Sequence, residues 1–258
     1  MKPGVVAATV SDVSERDSLG GKRVLFVANE VFFFLSHRKE IAQAAISAGI
    51  EVHLAAPADH VWAPVGFDHE VELREIGIQF HELPMSRRGR NLVQELRALF
   101  VLGMIFRLVK PDITHFLTIK PIIYGCVLAR VMNIGATVVA FTGLGHVFSG
   151  REFGLGLIRF CVMAILRGGM ARENLLAMFQ SIADRDVIVT ATGVDLDRTR
   201  VVPGAGVDLD RFRPKPSPSG APVILLPARL IWEKGIGEFV AAARVVKSRF
   251  PHFRFVLV

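Results

Sequence analysis

Cysteine is scarce: Cys126 and Cys161 are the only two in 258 residues, both in apolar stretches and without metal-ligand spacing. That excludes a disulfide-stapled scaffold and a zinc module, and it predicts two buried, reduced thiols of a cytosolic protein. No other His, Cys or Asp cluster has metal spacing. An uncharged run of bilayer-crossing length is also missing. The best candidate, Leu92 to Val109, is interrupted by Glu95, Arg97 and Arg107. Residues 1–20 carry Ser, Asp, Glu and Gly where a secretory signal needs an apolar stretch, so no signal peptide is expected. Acid is in deficit, with 24 Asp and Glu against 31 Lys and Arg and a formal net charge of +7. Such a balance favours nucleic acid, an acidic membrane surface or phosphorylated substrates. Nucleic acid is the weakest of these, because no recognition-helix signature or aromatic-basic interleaving is present.

Apolar residues are plentiful instead, at 51%, which excludes disorder as a class and supports a sizeable core. After a polar leader over 1–21, Arg23 to Ala28 is a short apolar run with the length and β-branching of a buried strand. The period from His37 to Ala48 predicts a helix stopped by Gly49. Strands are expected at Val52 to Ala56, Ile78 to Leu83, Asp112 to Thr118 and Thr137 to Phe141. Helices are expected at Asn91 to Val109 and Ile122 to Met132. This alternation calls for an α/β fold with a parallel, doubly wound, Rossmann-like sheet. Glycine-broken loops then precede a long apolar helix expected to end near Gly168-Gly169, and Val201-Val202 is a brief strand. Prolines at 214, 216, 218 and 222 mark a linker over 204–222. The domain over 22–203 is thereby separated from a second one opening at 223, with a strand at Val223 to Pro227, a helix over Lys234 to Arg249 and a strand at Phe253 to Val258. A βαβ opening buries too little surface to stand as a domain, so the second domain is expected to be incomplete.

Two clusters flank the linker: Pro203-Gly204-Ala205-Gly206-Val207-Asp208-Leu209-Asp210-Arg211-Phe212-Arg213-Pro214, and Pro227-Ala228-Arg229-Leu230-Ile231-Trp232-Glu233-Lys234-Gly235. In this order and separation they resemble the interdomain and donor-site signatures of family-4 glycosyltransferases of the GT-B fold. Asp112-Ile113-Thr114-His115 to Lys120-Pro121, and Phe141-Thr142-Gly143-Leu144-Gly145, look most like enzymes that extend lipid-diphosphate-linked saccharides. The resemblance implies two facing Rossmann-like domains, with a lipid-linked saccharide acceptor on the first and a nucleotide-sugar donor on the second. It also implies retaining transfer with neither metal nor cofactor.

The residue types suit that chemistry. A nucleotide sugar leaves as a diphosphate, so negative charge grows on oxygen, and without a metal fixed cations must take it up. An Arg fork and a Lys point charge at a strand-to-helix turn do so, and Arg229 and Lys234 occupy those positions. The resemblance assigns them catalysis and diphosphate contact, and puts Gly204, Gly206 and Asp208 beside the donor crevice. Gly204 and Gly206 also admit positive φ, as an ordinary turn would, and Asp208 could equally cap a local turn.

On the acceptor side, the first loop, Asn29-Glu30-Val31-Phe32-Phe33-Phe34-Leu35-Ser36, lacks the glycine pair common in the family. Its three Phe read as core or helix cover, or as lining for an apolar acceptor slot. Ser36, His37 and Arg38 are expected to open the next helix, either holding a phosphate or forming a Ser cap with a basic first turn. Asn29 and Lys120 belong to the same side. Thr142 stands where many relatives carry His; Gly143 and His146 follow on a glycine loop, His146 as a sugar or phosphate contact or as a structural histidine.

From Met85 to Lys110, Arg87, Arg88, Arg90, Arg97, Arg107 and Lys110 oppose Glu95 alone, among Leu92, Leu96, Leu99, Phe100, Met104 and Phe106. Arg151 to Arg172 repeats the theme. Either segment is a core helix with solvated ends or a helix lying on an anionic leaflet. Two of them, beside a lipid-linked acceptor, favour peripheral attachment at the cytoplasmic face of the plasma membrane. A catalytically inactive binding module is the competing expectation.

Overall fold

The computed structural model describes residues 19–58, 68–86, 91–143, 155–204, 206–207, 209–210, 212–216, 219–228 and 230–258, the side chains of 155–159 and 233 excepted. They divide between two compact units, one ending at Gly206 and the other beginning at Val207. The first is a parallel sheet of seven strands: β1 (Arg23–Val27), β2 (Glu51–Ala56), β3 (Gln79–Glu82), β4 (Ile113–Leu117), β5 (Ala136–Phe141), β6 (Leu175–Phe179) and β7 (Thr199–Val201). Their spatial order is β3-β2-β1-β4-β5-β6-β7.

The chain winds outward from the centre in both directions, and right-handed crossovers therefore place helices on both faces. One face packs on α1 (Val31–Ser47) and α2 (His69–Ile76), through Val31, Phe34, Leu35, Ala42 and Leu73 against Val24, Phe26 and Leu54. The other packs on α3 (Leu92–Val109), α4 (Ile119–Leu128), α5 (Leu155–Met170) and α6 (Ile182–Thr192), through Leu102, Ile122, Leu166 and Ile188 against Leu25, Val27 and Phe116. Side chains of β1 alternate between the two cores, as the two-residue period of a strand requires. Each wholly buried Leu or Phe contributes about 2 kcal/mol.

Several local expectations change. The first helix starts at Val31, six residues before His37, because Val31, Phe34 and Leu35 form one stripe that buries on the sheet. Phe34 is thus core, with Phe32 and Phe33 partly covered. The long helix does end beside Gly168-Gly169, at Met170. A Cβ on Gly169 would sit 2.3 Å from the Cys126 side chain, so this glycine also admits close approach of α5 to α4. Cys126 is buried, and burial pushes its thiol up to about 12, but Cys161 is exposed.

The second unit contains β8 (Val223–Leu226), a short 3₁₀ turn (Trp232–Lys234), α7 (Ile236–Arg249) and β9 (Arg254–Leu257). β8 and β9 pair in parallel, and Phe239 of α7 meets Phe255 edge-on at 5.6 Å. Val223 and Leu225 are about half exposed.

Candidate functional site

At the carboxyl edge of the seven-stranded sheet, neighbouring strands β1 and β4 send their connections in opposite directions. A crevice opens at such a reversal, where doubly wound folds bind ligands. Asn29 lies two residues past Val27 and Thr118 two past Phe116, and these strand residues are in register. Asn29 Oδ1 and Thr118 Oγ1 are both buried without a hydrogen-bond partner. Thr118 has φ 72° and ψ 163°, a conformation costly for a β-branched residue. Its N–H donates to the Ala140 carbonyl at 3.1 Å, which ties the strained turn to β5.

Beside this crevice a cleft of about 290 Å³ runs under the ends of β5 to β7. Arg38 and Ile41 of α1 form one wall. His115 of β4, Ala140 and Phe141 of β5, and Met178, Phe179 and Gln180 form another, and Val202, Pro203, Gly204 and Gly206 close it. The Phe141 and Phe179 rings stack with centroids 5.0 Å apart. Gly204 and Gly206 have φ of 71° and 80°, which glycine adopts without strain.

Arg38 and His115 are both 7% exposed. Arg38 continues the buried stripe Val31, Phe34, Leu35 and reaches the cleft from the helix's second turn. Its Nη1 donates to the His37 carbonyl at 2.8 Å, and burial lowers the guanidinium below its ordinary range. His115 packs on Phe26 with centroids 5.3 Å apart, and its Nε2 has no partner. Burial, and then the nearby Arg38 charge, push the imidazole down to about 4, so at neutral pH it is uncharged.

The other acceptor-side residues are placed differently. Ser36 and His37 lie within α1, both exposed. The Ser36 hydroxyl donates to the Phe32 carbonyl at 2.8 Å and lies 2.7 Å from His37 Nδ1, and neither residue lines the cleft. Lys120, in the first turn of α4, donates to Glu95 Oε1 at 2.6 Å and to the Ser86 carbonyl at 2.5 Å. The Tyr124 hydroxyl takes the other Glu95 oxygen. Thr142 and Gly143 continue from β5, Gly143 with φ 132°. His146, Asp208 and Arg229 lie outside the described residues. In the second unit Lys234 is exposed on the turn between β8 and α7, which begins at Ile236 rather than at Lys234. Among the described residues no group of three or more His, Cys, Asp or Glu could hold a metal ion.

The structure brings Arg38, Gly204 and Gly206 together and adds His115, which sequence reading had not singled out. A strand period of two could have shown it, because His115 pairs in register with Phe26 and therefore faces α1.

A model of the family described as glycosyl transferase 4-like matches residues 23–177. The chain belongs to that family. Solved structures share the fold. A glycosyltransferase from Rickettsia africae superposes with a TM-score of 0.57 at 15% identity, covering 92% of this chain and 68% of that one. Sucrose-phosphate synthase of Thermosynechococcus elongatus gives 0.67 at 13% identity, covering 92% and 62%. Among curated proteins, the N,N'-diacetylbacillosaminyl-diphospho-undecaprenol alpha-1,3-N-acetylgalactosaminyltransferase of Campylobacter jejuni is 23% identical over 244 residues, covering 87% of this chain. The chain spans 62% of that relative's length.

Proposed function

We propose that this chain belongs to a glycosyltransferase that moves a sugar from a nucleotide-sugar donor to a lipid-linked saccharide. Family membership across 23–177 carries the reading, and the lipid-diphosphate acceptor named for the Campylobacter relative supports the substrate class. The anomeric carbon loses its bond to the donor diphosphate and gains one to an acceptor hydroxyl oxygen, whose proton is released. We assign Arg229 and Lys234 to the departing diphosphate, with retention of anomeric configuration and no metal. We assign Gly204, Gly206 and Asp208 to the donor, and Asn29, Thr142, Gly143 and His146 to the acceptor.

The attachment surface of this reading is α3. Leu92, Leu96, Phe100, Met104 and Leu108 recur every four residues and are 49–73% exposed, a continuous outer stripe. Arg97 and Arg107 are exposed on the same arc. Glu95, the helix's one acid, is turned inward to Lys120 and Tyr124. The outer face is therefore apolar and cationic, as an anionic leaflet requires. Among the described residues no helix is long and apolar enough to cross a membrane.

The test is transfer from a panel of nucleotide sugars to an undecaprenyl-diphosphate-linked saccharide, followed by mass spectrometry. Arg229→Ala and Lys234→Ala should each lower turnover about 10²-fold, as loss of an oxyanion-stabilising donor does. Absence of transfer to any lipid-diphosphate acceptor overturns the reading. For attachment, Phe100→Glu should abolish flotation with phosphatidylglycerol vesicles, and indifference to lipid charge would remove the membrane from it.

A further inference from the structure

Arg38 is a buried cation without a counter-ion among the described residues. None of the ion pairs among the described residues involves it, and its Nη1 donates to its own neighbour's carbonyl. A guanidinium withdrawn from water and left uncompensated is costly, and such groups are ordinarily paired or occupied by a ligand. The second observation is independent. His115, as deeply buried on a different element, lines the same cleft with Nε2 unpartnered. A third is room: an added Cβ at Gly204 or Gly206 would meet nothing within 4 Å.

We propose that this cleft is an oxyanion site for the diphosphate of one of the two substrates. Arg38 supplies the charge and a planar fork of N–H donors that matches phosphate oxygens. The neutral His115 imidazole, protonated at Nε2, donates one further hydrogen bond, and Gln180 is also among the lining residues. An uncharged histidine suits a site already carrying one buried cation, since a second would repel the first. Binding of the anion offsets the Arg38 charge and makes protonation of His115 easier. The assignment rests on the transferase reading, because both its substrates are diphosphates, the nucleotide sugar and the isoprenoid-linked saccharide.

The experiment is a titration of the full chain, labelled with ¹⁵N at histidine, with inorganic pyrophosphate. The His115 Nε2 resonance should move saturably and its protonation midpoint should rise. Arg38→Met, an apolar replacement of similar length, should weaken pyrophosphate binding about tenfold or more, the worth of a charge-assisted hydrogen bond. Arg38→Lys, which keeps the charge without the fork, should fall between and covers the case of a misfolded Met variant. A silent His115, or unaltered binding in both Arg38 variants, overturns the site. Uridine diphosphate and farnesyl diphosphate are then compared: a response to the first places the donor's diphosphate here, and a response to the second the acceptor's. A response to pyrophosphate and to neither of these overturns the assignment to a substrate. Pyrophosphate binding needs no turnover. Transfer that persists with a silent His115 therefore removes only this site, and a responding His115 without transfer removes only the transferase reading.

Discussion

Lys120 and Arg38 are two cations of the same sheet domain, each held mostly out of water, and their surroundings differ in one respect. Lys120 lies between α3 and α4 with a carboxylate at 2.6 Å and a carbonyl at 2.5 Å, and Tyr124 takes the remaining carboxylate oxygen. Arg38 lies between α1 and β4 with one carbonyl and an unpartnered imidazole nearby. The first charge is spent inside the protein and fastens two helices. The second lines a cleft. Residue type does not separate a structural cation from a ligand-binding one; the nearest carboxylate does.

Breaking the first cluster should have the largest effect. Glu95→Ala leaves Lys120 part-buried without its anion and frees the Tyr124 hydroxyl. Removal of one partner from a buried pair costs about 3–5 kcal/mol, and the lower end applies here because each side chain is about one-fifth exposed. Urea unfolding measures it. A loss under 1 kcal/mol would mean that the network fastens nothing. Tyr124→Phe, which keeps the ion pair, should cost about 1 kcal/mol.

Acid tests the second cluster. The folded His115 lies below its unfolded value of 6.5, so its contribution is complete above pH 6.5 and is lost as pH falls toward 4, with no further loss beneath. The integral is about 3 kcal/mol. His53 and His81, also lowered by burial and 3.0 Å apart across β2 and β3, titrate in the same direction. The difference between parent and His115→Leu isolates the cleft histidine, and a variant that loses stability with acid as steeply as its parent would contradict the placement.

The smallest effect sharpens the contrast. Arg38→Met should leave stability unchanged or raise it by about 1 kcal/mol, since an uncompensated buried charge gives way to a packed apolar chain. If Arg38→Met destabilised the fold as much as Glu95→Ala, the two cations would both be structural.

The central elements were readable in the sequence because their signals are local. β1, β2, β4 and β5 are short apolar runs bounded by polar residues or proline, and α3 follows an Asn91 cap whose side chain accepts from the Val93 amide at 3.0 Å. β6 and α6 were not readable. Leu175-Leu176-Ala177-Met178-Phe179 contains no β-branched residue and adopts a strand because β5 and β7 flank it. Conversely, α6 carries Val, Ile and Thr, poor helix formers, and is set by the Ser181 cap, the Gly193 stop and burial of Ile188. At the site, Arg38 was noticed for its charge but assigned to a helix opening. The better signal was its position on an apolar stripe, where a charge is out of place.

Short-range chemistry, then, is what the sequence determined by itself: a parallel α/β architecture from alternating periods. Tertiary structure alone decided which charges are neutralised. Glu95 is one acid among six basic residues along its segment, and nothing in that order shows that it turns inward to Lys120, 25 residues away. That inward turn leaves the outer face of α3 without an acid. Arg38 and His115, 77 positions apart, likewise close into one cleft only because β1 and β4 are neighbours, and strand order is set by burial across the whole sheet rather than by any local run of residues.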